Sequence, residues 1–275
     1  MSKYGIPYKG NKSKIAKEIL DTLPSGKRLV DLFGGGFSIS HCALVEYPLK
    51  WDCILYNDIN PLLLEVIKKA MGGYYTSDEF DNHFITREEF HANKDKDGYI
   101  KYIWSFGNNG NDYLYGKDKE EIKHKIHDYI VFNKPCEEFK DITLEPETVH
   151  DRRLEFQKKA HARLQNLERL QSLTQLESLQ RLESLQMTCM DYRDYEYQEG
   201  DVVYCDIPYE DSLSKDKDYG GGFSWKDFYQ WAKEQSYPVY YSSYTKGTLV
   251  WQKQVRTVMN SASGGTMRNE ALFCI

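Results

Sequence analysis

The sequence predicts an α/β fold with a mostly parallel sheet, on three observations. Apolar strand-like segments alternate with helix-like segments over the first 71 residues. Three glycines follow the first of these strands, and an acidic residue follows the second. More strand-like segments come only after a long polar stretch, so we expect one sheet built from both sides of an insertion.

Local signals place the elements of this sheet. Pro24-Ser25-Gly26 is a turn signal before the first strand, and Pro61 suits the first turn of the second helix. The expected elements are strand 27–33, helix 37–45, strand 52–58 and helix 62–71, with further strands at 186–191, 201–206, 238–243 and 271–275.

The polar stretch predicts a separate small fold within the chain. Aromatic flanks at 102–106 and 113–115 bracket the turn-forming cluster 107–112, as in a β-hairpin. We therefore predict a discontinuous catalytic domain, residues 1–72 and 147–275, with a target-recognition insertion at 73–146.

A leucine repeat of period three follows the insertion. Its leucines lie at positions 164, 167, 170, 173, 176, 179, 182 and 185. On an ideal α-helix, steps of three fall about 60° short of a turn, so the leucines would wind around the whole helix. The pattern fits neither an amphipathic helix nor a heptad coiled coil, and it favours a structural spacer over a leucine-zipper partner site.

Composition limits the class of protein. The 275-residue chain has a net charge of −6 and contains 22 tyrosines, and no stretch approaches the roughly 20 apolar residues of a membrane span. Residues 1–30 nevertheless carry seven basic against two acidic side chains, which is compatible with contact to DNA. The start lacks the apolar core of a signal peptide, and six scattered cysteines favour buried thiols over a metal site, so we expect a cytoplasmic location.

The glycine turn and the second strand predict a nucleoside-containing cofactor. Glycines directly after a strand, at Gly34 and Gly36, let the backbone approach a ligand. Asp31 opens this motif, and Asp58 ends the next strand, where an acidic residue can accept the hydroxyls of a ribose.

A third motif, Asp206-Ile207-Pro208-Tyr209, follows the buried strand that ends at Cys205, and it resembles the fourth motif of the amino-methyltransferases. The resemblance implies methyl transfer to an exocyclic amine of a base, by the following chemistry. An exocyclic amine of a base is a weak nucleophile, because its lone pair is delocalised into the ring. A carboxylate and a backbone carbonyl that accept hydrogen bonds from its two N–H groups would leave that lone pair facing a methyl donor. An aromatic ring would stack on a base flipped out of the duplex.

At this motif the sequence resembles the amino-methyltransferases, and over most of its length it resembles Dam-type DNA adenine-N6 methyltransferases. The resemblance implies a seven-stranded methyltransferase sheet, S-adenosylmethionine as cofactor and double-stranded DNA as partner. It implies catalysis by Asp206, Ile207, Pro208 and Tyr209. It implies cofactor contacts from Tyr8, Lys12, Asp31, Gly34, Gly36, Asp58, Asp191, Tyr192 and Asp206, with Lys12 suited to the donor's carboxylate. It implies DNA contacts from Lys9, Asn108, Asn109, Asn111 and Tyr113.

Two departures from the family's motifs lie at residues expected beside the methyl donor or the target amine. Tyr8 replaces a tryptophan, and Ile207 replaces a proline whose carbonyl alone the chemistry needs. Alternatives to adenine methylation of DNA are methylation of the cytosine amine, methylation of RNA, an inactive DNA-binding relative, and an assembly module that uses the leucine repeat. The sequence leaves the target site and the oligomeric state open.

Overall fold

The computed structural model describes residues 3–76, 78–179, 182–208, 223–243, 248–257 and 266–275. The strands are β1 (Gly26–Asp31), β2 (Trp51–Asn57), β3 (Leu185–Thr188), β4 (Asp201–Cys205), β5 (Val239–Ser243), β6 (Thr248–Thr257) and β7 (Thr266–Cys274). They form one sheet in the order β3-β2-β1-β4-β5-β7-β6.

The first five strands pair in parallel, whereas β7 runs antiparallel to both β5 and β6. The predicted fold class, a mostly parallel seven-stranded sheet, is therefore confirmed. From β1 the chain builds outward to β2 and β3 on one side, and β4 and β5 lie on the other. A parallel sheet that reverses direction in this way has its ligand crevice at the carboxyl ends of the two central strands.

The helices are α1 (Ala16–Thr22), α2 (Ser38–Glu46), α3 (Pro61–Met71), α4 (Asp78–Asn82), α5 (Arg87–Asn93), α6 (Gly98–Ile103), α7 (Glu120–Phe132), α8 (Val149–Ala160), α9 (Gln165–Thr174) and α10 (Trp225–Glu234). The two helices predicted in the first 71 residues correspond to α2 and α3, and α3 begins at Pro61 as expected. Strand β6 was not predicted, because its central residues Gln252-Lys253-Gln254 are polar.

The chain divides into two compact units. The sheet unit comprises Lys3–Gly5, Gly10–Leu64 and Leu179–Ile275, and the helical unit comprises Ile6–Lys9 and Glu65–Ser178. The predicted insertion 73–146 lies wholly within the helical unit. That unit extends further along the chain because α8 packs against α7, and α9 packs against the turn Tyr74–Thr76.

The leucine repeat lies in the core of the helical unit over most of its length. Six of its leucines are buried, at positions 164, 167, 170, 173, 176 and 179. Residues 165–174 form a helix that buries Leu167, Leu170 and Leu173, whereas the sequence analysis found that the period of three does not fit an amphipathic helix. Ten residues are too few for a period of three to carry the leucines around the axis. After Thr174 the backbone bonds from Leu176 to Leu173 and from Glu177 to Thr174 are of the 3₁₀ type, whose period is three.

Two further expectations concern the cysteines and the membrane. The described residues contain no disulfide; Cys42 and Cys205 are buried as expected, whereas Cys189 is exposed. Within the same residues, no helix is both long and apolar enough to cross a bilayer.

The packing of the repeat yields a stability prediction. Leu173 is 0 % exposed, so Leu173→Ala should lower the free energy of unfolding by about 2–5 kcal/mol, through lost burial and the cavity left behind. Leu154 on α8 is 46 % exposed and provides the control, since Leu154→Ala should change that free energy by less than about 0.5 kcal/mol. Denaturant titration measures both, and equal effects would contradict a core role for the repeat.

Candidate active site

Asp31 ends β1 and is completely buried. One oxygen of its carboxylate accepts a hydrogen bond from the Ser40 hydroxyl (2.7 Å), and Oδ1 has no hydrogen-bond partner among the described residues. Burial raises the pKa of Asp31 to about 7; the bond from Ser40 opposes the rise, and the nearby charge of Asp206 adds to it. The Asp31 carboxyl group is thus buried, and its Oδ1 lacks a hydrogen bond from the described residues. A cation bound nearby would favour its ionised form.

The glycine turn after β1 packs directly against β2. The Gly34 amide donates to the Asn57 carbonyl (2.8 Å), and the Tyr56 hydroxyl donates to the Gly35 carbonyl (2.7 Å). A Cβ atom at Gly34 would lie 2.1 Å from the Tyr56 ring, so a larger residue would force the turn away from β2. The turn therefore needs glycine for close packing, in addition to any approach by a ligand.

Asp58, at the end of β2, is fixed by the same turn. Its Oδ2 accepts from the Gly35 amide (2.9 Å), and its Oδ1 accepts from the Asn60 amide (2.9 Å). Burial raises the pKa of the Asp58 carboxyl to about 6, and the two backbone bonds oppose that rise. These bonds set the direction of the carboxylate at the carboxyl edge of the sheet.

Asn57 is the site residue to which the sequence analysis gave no role of its own. Its side chain is 1 % exposed. The amide donates to the carbonyls of Leu32 and Met190, both at 3.0 Å, and its oxygen accepts from the Thr188 hydroxyl (2.9 Å) and the Met190 amide (3.1 Å). All four bonding positions are used. The sequence signal was an amide at the end of an otherwise apolar strand.

A cleft opens beside Asp58 in the sheet unit. Aromatic rings of Phe33, Tyr192 and Phe223 form its apolar part, with the Phe33 and Tyr192 centroids 5.1 Å apart. Asp191 lies on its rim, where Arg193 pairs with both oxygens (2.8 and 2.7 Å) and lowers the pKa of that carboxyl. An apolar cleft with carboxylates at its rim suits a nucleoside.

Asp206 follows β4 and faces a buried ammonium. Lys12 Nζ lies 2.8 Å from Asp206 Oδ1, and the lysine side chain is only 5 % exposed. Lys12 also donates to the Gly10 carbonyl (3.2 Å), and its amide donates to the Ser38 hydroxyl. Burial raises the pKa of Asp206 to about 6, while the Lys12 charge opposes the rise. The ammonium thus contacts the predicted catalytic carboxylate; its assignment to the donor's carboxylate stays a prediction.

The rest of the tetrad is only partly described. Ile207 is 2 % exposed and packs in the apolar core of the sheet unit, which accounts for a bulky aliphatic residue at this position. The Pro208 carbonyl accepts from the Trp225 indole (3.1 Å). Tyr209, predicted to stack on the base, lies outside the described residues.

The segment before Lys12 contains a second unpredicted site residue. Gly5 adopts a φ of +70°, its amide donates to His41 Nδ1 (2.9 Å), and a Cβ there would lie 2.1 Å from the Gly36 carbonyl. Its backbone therefore lies directly against the glycine turn. Tyr8 and Lys9 belong to the helical unit, where the Tyr8 ring packs edge-on against Tyr102.

The predicted hairpin is a short closed loop in the helical unit. Ser105 and Tyr113 form an isolated antiparallel bridge, flanked by bonds from Phe106 to Asp112 (2.7 Å) and from Leu114 to Trp104 (2.8 Å). The antiparallel closure was predicted correctly. The preceding flank differs, because residues 102 and 103 finish α6 and are not strand.

Some side chains of this loop make hydrogen bonds that hold its backbone, and others are partly exposed. Asn109 Oδ1 accepts from the amides of Asn111 (2.8 Å) and Asp112 (3.2 Å). Tyr113, predicted to contact DNA, is buried and donates to the Ile85 carbonyl (2.7 Å), which gives it a packing role. Asn111 is partly exposed, and Asn108 is partly exposed with a buried Oδ1 that has no hydrogen-bond partner among the described residues.

Comparison with known families gives one match. A family model described as D12 class N6 adenine-specific DNA methyltransferase matches residues 8–251, which is most of the chain. A comparison with curated proteins finds no match.

Proposed function

Since the chain belongs to the D12 class of N6 adenine-specific DNA methyltransferases, we propose that the carboxyl ends of β1, β2 and β4 form its active site. The family fixes the reaction, which is methyl transfer to the exocyclic amine of adenine in DNA. We further propose that S-adenosylmethionine is the methyl donor and that the substrate is double-stranded DNA with the target base flipped out. The proposed roles of the residues follow.

The charge balance of the sheet edge is the observation that carries the proposal. Asp31, Asp58 and Asp206 are three carboxylates whose pKa values burial raises, to about 7, 6 and 6. The ammonium of Lys12 is paired with Asp206. A cationic ligand would lower the electrostatic cost of ionising the other two. When bound, S-adenosylmethionine supplies a sulfonium whose methyl group is electrophilic, and its ammonium adds a second positive charge.

The cleft beside Asp58 suits the nucleoside part of that donor. We assign Asp58 to the ribose hydroxyls, because its carboxylate is fixed in direction by Gly35 and Asn60. We assign Asp191 and Tyr192 to the adenine ring of the donor, since both line the cleft. The donor's methyl group would then lie toward Asp206.

Asp206 and Ile207 act on the target amine in this proposal. The carboxylate accepts a hydrogen bond from one amine proton, and the Ile207 carbonyl accepts one from the other, so that the nitrogen lone pair faces the methyl group. Lys12 keeps Asp206 ionised and limits its rotation. The buried leucines of the repeat do not favour an assembly module, because their side chains are used in the core of the helical unit.

Recognition of the target sequence is assigned to the loop 105–113 of the helical unit. Asn111 carries a partly exposed amide group that can read a base edge, and Asn109 holds the turn that presents it. We assign the same role to Asn108 through the part of its side chain that is exposed, because its Oδ1 is buried. Lys9 is assigned to the DNA backbone, where a lysine acts as a point charge. The helical unit is thus the proposed target-recognition domain.

Asp206→Ala tests the chemistry. The change removes the acceptor that orients the amine, and kcat should fall by about 10²–10³-fold. Transfer of labelled methyl groups to DNA, followed by nucleoside mass spectrometry, measures it. Asp52→Ala, at the exposed start of β2, is the matched control and should leave kcat unchanged. Wild-type turnover in Asp206→Ala would overturn the assignment.

The same carboxylate predicts a pH profile. Below its pKa of about 6, Asp206 is protonated and can no longer act as a purely accepting group, so activity should fall as the pH drops through about 6. Lys12→Met removes the charge that opposes this raised pKa and should move the midpoint to higher pH. An unchanged midpoint in Lys12→Met would contradict electrostatic coupling of the pair.

Asp58→Ala tests the cofactor site. Loss of charge-assisted hydrogen bonds to the ribose, each worth about 1.5–3 kcal/mol, should weaken binding of S-adenosylmethionine by at least tenfold in calorimetry. Asp58 also braces the glycine turn, so thermal unfolding of the variant is measured in parallel. Unchanged affinity would remove the ribose assignment.

Replacing Asn108–Asp112 by a short Gly-Ser turn tests whether the loop 105–113 recognises the target sequence. Specific methylation should be lost while calorimetric binding of S-adenosylmethionine persists, because the loop belongs to the helical unit. The neighbouring exposed turn offers a control, Lys117→Ser with Asp118→Ser, which should leave the methylated sequence unaltered. If the loop replacement also leaves that sequence unaltered, a different element reads the DNA.

A further inference from the structure

Helix α9, which carries the first part of the leucine repeat, also makes polar contacts that the leucines do not explain. Each leucine triplet has a polar residue in its third position, and the first two such residues are Asn166 and Arg169. Residues three apart lie on the same face of an α-helix. This face is therefore distinct in chemistry from the leucine positions and is available for a separate role.

Arg169 bonds the start of the loop 105–113. Its Nη1 donates to the carbonyl of Ile103 (2.7 Å) and to the carbonyl of Ser105 (2.6 Å). Ile103 is the last residue of α6, where carbonyls have no partner within their own helix. One guanidinium nitrogen thus fixes the position at which the chain leaves α6 and enters the loop.

Asn166 bonds the chain that leaves the loop. The Tyr115 hydroxyl donates to Asn166 Oδ1 (2.9 Å), and both side chains are buried. The Tyr115 carbonyl in turn accepts from Arg87 Nη2 (2.6 Å), and Arg87 pairs with Glu120 (3.0 Å). The two ends of the loop are consequently held by neighbouring positions of one helix.

We propose that α9 is the positioning element of the DNA-reading loop, and that Arg169 is a specificity-determining residue which acts without touching DNA. Arg169 fixes where the loop begins relative to where it ends. It thereby fixes how far the side-chain amides of the loop reach into the DNA groove and in which direction they point. This inference rests on the proposed function of the loop as the reader.

A positioning role affects discrimination more than affinity. Hydrogen bonds to base edges reject a wrong base only when donor and acceptor positions are held closely, whereas contacts to phosphates tolerate displacement. If the start of the loop were no longer held, the enzyme would keep its contacts to the DNA backbone and would still bind DNA. It would accept base pairs that the fixed loop excludes.

The test uses the full-length enzyme and its methylated sequence, obtained by methylation-aware sequencing of DNA from expressing cells. Arg169→Met removes both hydrogen bonds of the guanidinium to the start of the loop. We expect the ratio of kcat/KM between the cognate duplex and a duplex with one changed base pair to fall at least about tenfold, the effect of losing a single bond to a charged group. Arg169→Lys, which supplies a point charge without the planar fork, should give an intermediate ratio. Hydrogen exchange of the amides in 105–113 should quicken in Arg169→Met.

Arg163→Met is the matched control, because Arg163 lies just before α9, is exposed and pairs with Glu168 on that helix. It should leave the ratio unchanged. If Arg169→Met fails to fold, Tyr115→Phe deletes only a hydroxyl at the other end of the loop and should also lower the ratio. Lower thermal stability with an unchanged ratio would overturn the inference. Failure of the proposed function is seen separately, as an unaltered methylated sequence when Asn108–Asp112 is replaced.

Discussion

The side-chain amide of Asn57 holds three neighbouring strand ends together. It donates to the carbonyl that follows β1 and to a carbonyl beyond β3, and it accepts from two groups of the β3 end. Parallel strands alone fix the register but leave the chain after each strand free to diverge. With the amide in place, the glycine turn, Asp58 and the cleft beside Tyr192 occupy one edge of the sheet. Loss of the amide would also leave buried carbonyls without partners, at a cost of about 1–3 kcal/mol each.

The carboxylates gathered at this edge weaken the fold near neutral pH. In an unfolded chain an aspartate titrates near pH 4, whereas burial raises the pKa of Asp31 to about 7 and those of Asp58 and Asp206 to about 6. Between about pH 4 and pH 7 these three groups therefore bind more protons in the folded protein than in the unfolded chain. The contribution of these groups to stability accordingly falls as pH rises through that range. A bound cation that favours their ionised forms would offset this cost, which couples ligand binding to stability.

Local sequence signals were enough for six of the seven strands and for the helices α2 and α3. These elements followed from apolar runs and from Pro61, and Asp58 lies after a strand as predicted, whereas its role at the ribose stays a prediction. The pairing of Lys12 with Asp206 and the contact of Gly5 with Gly36 join segments that are distant in sequence, so no local pattern indicates them. The family resemblance predicted that Tyr113 contacts DNA. Its burial depends on an acceptor at Ile85, which only tertiary packing brings near.

The leucine repeat shows how a three-residue period can serve two purposes. Over the ten residues of α9 the leucines drift by about 60° for each triplet, so Leu167, Leu170 and Leu173 still face one core. A longer α-helix would turn the next leucine outward. The chain instead leaves the helix after Thr174, and 3₁₀-type bonds keep Leu176 buried. Each triplet rotates about the helix axis by the same angle. Asn166 and Arg169 therefore keep a constant angular offset from the leucines. Packing of the leucines therefore fixes where these polar groups meet the loop 105–113.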